Sequence, residues 1–160
     1  INYAVLNLTK RKKMVTIVGG IINTKNYEVS ISSAGHIPAI LKHGNGFEEI
    51  PLPAYPLGVY STERLKKAQT VIKLENFNKL FFYSDGIIEA RDWNNQELGF
   101  DSFYNEINNL PEIANSEECI KILLNKLKEH TKGRDFVDDV SLLVVSCRRK
   151  DAKKETKESD

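Results

Sequence analysis

The stretch KLFFYSDG, residues 79–86, places four apolar side chains in a row, Leu80, Phe81, Phe82 and Tyr83, and then stops on Ser84, Asp85 and Gly86. An unbroken apolar run of that length, with no helical spacing, marks a β-strand covered on both faces. Ser-Asp-Gly marks the point where the chain turns out of the core. A second run, VSLLVVS at residues 140–146, has the same apolar character and is preceded by Asp138-Asp139. Both buried strands therefore carry carboxylates at one end. In a single sheet those two ends could lie side by side.

Working outward, MVTIVGGIIN (14–23) is rich in β-branched residues and reads as a strand, followed by a turn at NTKN (23–26). YEVSISSA (27–34) alternates apolar and polar residues, as a half-buried strand does, and closes a hairpin. Gly19-Gly20 inside the first strand predicts a bulge or a close backbone approach. PAILKH (38–43), the turn Gly44-Asn45-Gly46 and FEEI (47–50) form another hairpin. PLPAYPLG (51–58) holds three of the five prolines and is expected to be an extended loop, because proline removes ladder donors. KAQTVIKL (67–74) is the strand that precedes the 79–86 stretch.

The downstream half is helical. Phe100, Phe103, Tyr104 and Ile107 share one face of a helix starting near Asp101 and closed by Pro111. Ser116 is the expected cap of a second helix, with Glu117 and Glu118 in its first turn and the stripe Ile120, Leu123, Leu124 and Leu127. INYAVLNL (1–8) reads as the last turns of a helix, with Ile1, Val5 and Leu8 on one face, and TKRKK (9–13) as a solvated connection. KGRDFVDD (132–139) is a loop. Residues 149–160 are charged and without apolar pattern, so we expect one domain over 1–148 and a disordered tail. The order of elements predicts an α+β fold with a mostly antiparallel sheet, the last strand returning to it after the helices.

Composition narrows the function classes. The 160 residues carry 23 Lys+Arg against 22 Asp+Glu, a net charge of +1, which argues against a protein built to bind nucleic acid. Two cysteines, Cys119 and Cys147, make neither a disulfide scaffold nor a CxxC pair, which points to a reducing, cytoplasmic setting. No apolar run is long enough to span a bilayer and no signal peptide is visible, so no membrane contact is expected from this segment. The first residue is Ile1, so a piece of a longer chain is expected, and that parent could be membrane-attached through upstream regions.

Asp85, Asp138 and Asp139 are candidate ligands, although Ser-Asp-Gly also occurs as a plain turn and Asp-Asp as a solvated loop. Carboxylate oxygens without histidine or cysteine suit hard cations such as Mn²⁺ or Mg²⁺ rather than zinc. His36, in Ser33-Ala34-Gly35-His36 at a strand end, could serve as acid, base or ligand, or make one backbone hydrogen bond. Gly35 is expected to supply an unusual backbone angle. His43 and His130 have no ligand-spaced neighbours and read as surface residues. GxSxG, Walker A and GxGxxG are all absent, and neither cysteine has an evident base partner.

Several segments together resemble the SpoIIE/RsbU type of PPM serine/threonine phosphatases. Residues 33–41, SAGHIPAIL, resemble that family's NAGHxPxxL segment, and Pro56-Leu57-Gly58 its next landmark. Residues 82–90, FYSDGIIEA, resemble YTDGVTEA; Gly99 followed by residues 100–104 resembles its approach to a helix; residues 138–144, DDVSLLV, resemble DD(I/V)TLLV. Order and spacing agree over residues 14–146. The resemblance implies a β-sandwich flanked by helices, with two Mn²⁺ or Mg²⁺ ions holding a water that attacks a phosphoserine or phosphothreonine. It implies Asp85 as a ligand of one ion and Asp138 as a ligand of the other or a bridge. It implies Asp139 as a supporting acid, Ser84 and Gly86 as shapers of the ligand loop, and Gly35-His36 as the border of the cleft. The implied partner is a phosphorylated anti-anti-sigma (STAS-like) protein in sigma-factor regulation.

One departure matters. The family's earlier D-x-S-G-H-G-like motif has no counterpart before residue 14, and the first acid of the chain is Glu28. The resemblance therefore implies the C-terminal portion of the domain, with the N-terminal part of the fold missing and the two-metal site incomplete. An alternative is a catalytically incomplete fragment or a regulatory module on the same fold. An exposed sheet edge could also pair with a second copy as a homodimer.

Overall fold

The structure, a computed structural model, describes residues 1–44, 46–61 and 68–148. Asn45 of the expected turn, Lys67 at the head of an expected strand and the charged tail from residue 149 lie outside the described residues. The elements run α1 (Asn2–Thr9), β1 (Ile17–Asn23), β2 (Glu28–Ala34), β3 (Ala39–His43), β4 (Gly46–Ile50), β5 (Ala68–Lys73), β6 (Lys79–Tyr83), α2 (Asp85–Ile88), α3 (Gly99–Asn108), α4 (Ser116–Thr131) and β7 (Leu142–Ser146).

The strands form two sheets with antiparallel pairing throughout, one ordered β1-β2-β5 and the other β4-β3-β6-β7. The alternating pattern of β2 sends Val29 and Ile31 into the space between the sheets, where they meet Leu41, Ala68, Leu74 and Leu80. The other face of the four-stranded sheet is covered by helices: Ile40, Phe81, Tyr83 and Val144 pack with Phe103, Ile107, Leu123 and Leu127. Strand β6 thus lies in the middle layer, with Leu80 facing one core and Phe81 the other, which is why its sequence is apolar without alternation. Truncating Phe81 to alanine would cost about 3–5 kcal/mol.

Two lysines tie the helical layer to this sheet. Lys42 and Lys79 stand opposite each other on β3 and β6, and both are buried. Lys42 Nζ donates to Asn108 O at 2.9 Å, at the carbonyl-rich end of α3, and Lys79 Nζ donates to Glu112 O at 2.6 Å just beyond it. A helix C-terminus favours such a cation. Burial, with each other's charge adding to it for Lys42, pulls both lysines below their ordinary range.

Several boundaries differ from the sequence reading. β1 begins at Ile17 rather than Met14, because Val15 is diverted into a bridge with Leu57, Val15 N to Leu57 O at 3.0 Å and Leu57 N to Val15 O at 2.9 Å. The β1–β2 register is continuous through Gly19-Gly20, so there is no bulge; the close approach falls at Gly20, against Ser30 O. α4 is capped by Asn115, not Ser116: Asn115 Oδ1 accepts from Glu118 N and Glu118 Oε2 accepts from Asn115 N, a complete capping box. In α1 the face of Ile1, Val5 and Leu8 does not dock as a stripe, since Ile1 and Leu8 are each 84% exposed. The helix is anchored instead by buried Asn2, which donates to Tyr60 O and accepts from Gly58 N.

Among the described residues β1 and β7 each have one strand neighbour. Between them runs an apolar groove bordered by Val18, Ile22, Phe82, Leu143 and Val145.

Candidate metal centre

The expected strand over 79–86 ends at Tyr83, and Asp85 opens the single helical turn α2. Ser84 is the residue of the change. Its N–H donates to Ser141 O at 3.0 Å, its Oγ accepts from Ser141 N at 2.8 Å, and the same hydroxyl donates to Asp139 O at 2.9 Å. These bonds extend the β6–β7 ladder one step past the pair Tyr83 and Leu142. They fasten the Asp138-Asp139 segment to the start of α2.

Gly86 completes the junction. A Cβ there would stand 2.5 Å from Asp139 O and 3.2 Å from Asp138 O, both backbone atoms, so this position admits no side chain without moving the acidic segment. Asp85, between Ser84 and Gly86, is exposed, as are Asp138 and Asp139. Asp138 Oδ1 accepts from Asp139 N at 2.7 Å, which orients that carboxylate.

His36 approaches the same corner from the other sheet. Its Nε2 lies 3.0 Å from Tyr83 O, and its Nδ1 lies 3.4 Å from Thr16 Oγ1. Since a carbonyl only accepts, Nε2 carries the hydrogen and Nδ1 is left to accept from the threonine. The ring bridges the residue preceding Ser84 to the entry of β1; of the alternatives open in the sequence, the backbone hydrogen bond is the one formed. Gly35 has φ +70°, and a Cβ on it would stand 2.5 Å from Pro56 Cγ, so the 33–41 and 56–58 landmarks touch through this glycine.

The structure therefore brings Ser84, Asp85, Gly86, Asp138 and Asp139 together at one end of β6 and β7, with His36 against Tyr83 and Gly35 behind it. His43 is exposed. His130, expected at the surface, is half-buried and holds Gln96 O at 3.1 Å. Cys119 and Cys147 are both buried and free; burial pushes the Cys119 thiol up, which suppresses the thiolate a nucleophile needs. Among the described residues no three or more His, Cys, Asp or Glu side chains converge as a metal cluster, and no helix is long and apolar enough to cross a membrane.

The two antiparallel sheets with a helical layer match the fold of solved PP2C-type phosphatase domains. The family model of Stage II sporulation protein E (SpoIIE) matches residues 1–148, and the chain belongs to that family. Solved structures that share its fold include the following three. The SiaA PP2C domain of Pseudomonas aeruginosa superposes with a TM-score of 0.75 at 13% identity, covering 93% of this chain and 57% of that one. The phosphatase domain of SpoIIE from Bacillus subtilis, presoaked with Mn, gives 0.63 at 16% identity, covering 84% and 57%. The RsbU and RsbW domains of a Mycobacterium tuberculosis protein give 0.65 at 21%, covering 91% and 40%. The chain thus spans less than two thirds of each of these relatives. No curated protein matches it.

Proposed function

We propose that the chain carries part of the active centre of a metal-dependent protein serine/threonine phosphatase, which hydrolyses phosphoserine on a partner protein. The observation that supports this reading most is the mutual fastening of the Ser84–Gly86 turn and the Asp138–Ser141 segment, which sets two exposed carboxylate-bearing segments at one corner of the fold.

The donor set fits a hard divalent cation in chemistry: carboxylate oxygens, with no thiolate and no imidazole aimed at the same point. Asp85 and Asp138 would hold Mn²⁺ or Mg²⁺, with Asp139 supporting the loop. Such an ion, when bound, lowers the pKa of a water ligand and offsets the charge of the phosphoryl oxygens. The remaining contributions are the chain's own. Ser84 fixes the register of the acidic segment, Gly86 permits its close approach, and His36 pins the carbonyl that leads into the turn. Hydrolysis forms one bond from a water oxygen to phosphorus and breaks the bond from phosphorus to the serine oxygen. It returns the serine hydroxyl and inorganic phosphate without a protein nucleophile.

The substrate we propose is a phosphorylated anti-anti-sigma (STAS-like) protein in a partner-switching pathway on the cytoplasmic side. Membership of the SpoIIE family and the likeness to a protein with RsbU and RsbW domains support it. The test is Mn²⁺-dependent phosphate release from a serine-phosphorylated STAS-domain protein by the parent protein. Asp85→Asn and Asp138→Asn should each lose most of that activity; undiminished activity in both overturns the assignment.

A second reading, a binding or regulatory module on the same fold, is favoured by one observation: no three metal-ligating side chains converge among the described residues. Calorimetric titration of this chain with Mn²⁺ separates the two, since tight uptake of two ions per chain would exclude the module.

A further inference from the structure

The four sheet edges are not alike. β1 and β5 border one sheet, β4 and β7 the other. β4 carries Glu48 and Glu49, and β5 carries Lys73. Charge of that kind keeps a free edge from pairing. β1 and β7 carry none. They flank the same apolar groove, bordered by Val18, Ile22, Phe82, Leu143 and Val145.

Of these two, β7 is fitted to pair with a copy of itself. An antiparallel strand addresses its two sides with alternate residues. Ser141 and Cys147 both bond toward the β6 side, Ser84 N to Ser141 O at 3.0 Å and Cys147 N to Asn78 O at 2.9 Å. By that alternation the backbone of Leu143 and Val145 also addresses β6, and Leu142, Val144 and Ser146 present their N–H and C=O groups at the open edge. A two-fold axis at Val144 sets it against the partner's Val144, and Leu142 against the partner's Ser146. Every outward residue then meets an outward residue and exchanges both bonds.

The same axis places Leu143 opposite the partner's Val145. Leu143 is 58% exposed, and Leu143 and Val145 both border the groove, so the cross-strand pairs close its mouth. The flanking charges agree with this direction. Asp138 and Asp139 precede β7 and Arg148 follows it, so antiparallel pairing brings the acidic end of one strand beside the basic end of the other. In β1, by contrast, Gly19-Gly20 at the centre removes the side-chain pairs that such a contact needs.

We propose that β7 is a self-association edge: two copies of this chain join their four-stranded sheets through an antiparallel β7–β7 contact centred on Val144, and the paired Leu143 and Val145 side chains cover the groove. This stands independently of the phosphatase reading.

Sedimentation equilibrium of the full 160-residue chain over a dilution series should give a monomer–dimer equilibrium. Leu143→Glu sets a charge against the partner's Val145 and should weaken the dimer at least about tenfold, while melting as the wild type does at monomeric dilution. Val145→Lys should act alike, and an equimolar mixture of the two variants should regain the dimer, because opposite charges then face each other across the contact. Amide hydrogen exchange read by NMR needs no variant and decides alone if Val145→Lys fails to fold. The amides of Leu142, Val144 and Ser146 should be protected in the dimer and exchange in the monomer, whereas those of Leu143 and Val145 should be protected in both. A monomer at every concentration, or a dimer in which Leu142, Val144 and Ser146 exchange as in the monomer, overturns the proposal. So does a dimer that survives Leu143→Glu and is lost in Ile21→Lys, which would place the contact on β1.

Discussion

Ser84 and Ser141 satisfy each other reciprocally: the amide of Ser84 donates to the carbonyl of Ser141 at 3.0 Å, and the amide of Ser141 donates to the hydroxyl of Ser84 at 2.8 Å. Because the same hydroxyl also donates to Asp139 O, one side chain joins the end of β6 to the acidic segment before β7. Each candidate ligand thus inherits its position from the other strand.

Ser84→Ala should remove two hydrogen bonds at a half-buried position and cost about 1 kcal/mol, since water can reach part of the gap. Urea unfolding measures this. Ser84→Thr, which keeps the hydroxyl, should restore most of the loss.

Gly86→Ala tests the packing of the same junction. The added methyl meets the backbone of Asp138 and Asp139, so the acidic segment has to move. A loss of about 1–3 kcal/mol is expected. Isothermal titration should show Mn²⁺ affinity falling further than in Ser84→Ala, because the displaced segment carries Asp138 itself. Unchanged stability would show that the close approach is unimportant.

How much of this was legible beforehand depended on the kind of signal. The two apolar runs ending in acids located β6, β7 and their shared end, because burial on both faces writes itself directly into composition. α2 was missed: a single helical turn has no periodicity, and residues 84–86 read equally well as the tail of a strand. The cap of α4 was misplaced by one residue, although Asn115 stands three before Glu118 and that spacing was readable. The docking of α1 through Asn2 could not be read, because a buried asparagine is fixed by partners 56 and 58 residues away.

Asn115→Ala should destabilise the protein by about 1 kcal/mol by uncapping α4, with Mn²⁺ affinity unaffected. Thermal unfolding is the measurement. Asn115→Ser should recover most of the difference, whereas a change in metal binding would show that α4 is coupled to the acidic corner.

Tyr83 sets an alkaline limit. Burial, aided by the 3.2 Å hydrogen bond with Tyr104 and the nearby Glu49, raises its hydroxyl far above the ordinary 10.0. The folded state then keeps a proton that the unfolded state releases, so stability falls as pH rises past about 10, by up to about 1.4 kcal/mol per pH unit. Lys42 and Lys79 are shifted downward and act in the opposite sense below 10.5. The comparison that isolates Tyr83 is therefore with Tyr83→Phe, whose unfolding free energy should decline less steeply between pH 10 and 11. Equal slopes would mean that Tyr83 titrates normally.

The margins of β1 and β7, which have no strand partner among the described residues, have a practical consequence. Residues 17–23 and 142–146 contain neither charge nor proline, and Ile21 is 76% exposed beside them. Nothing in those margins deters one molecule from lending its amides to the next, so concentrated preparations of the isolated chain should grow turbid and bind thioflavin. A lysine at Ile21 is the simplest gatekeeper, and light scattering across a dilution series would reveal whether it keeps the protein dispersed.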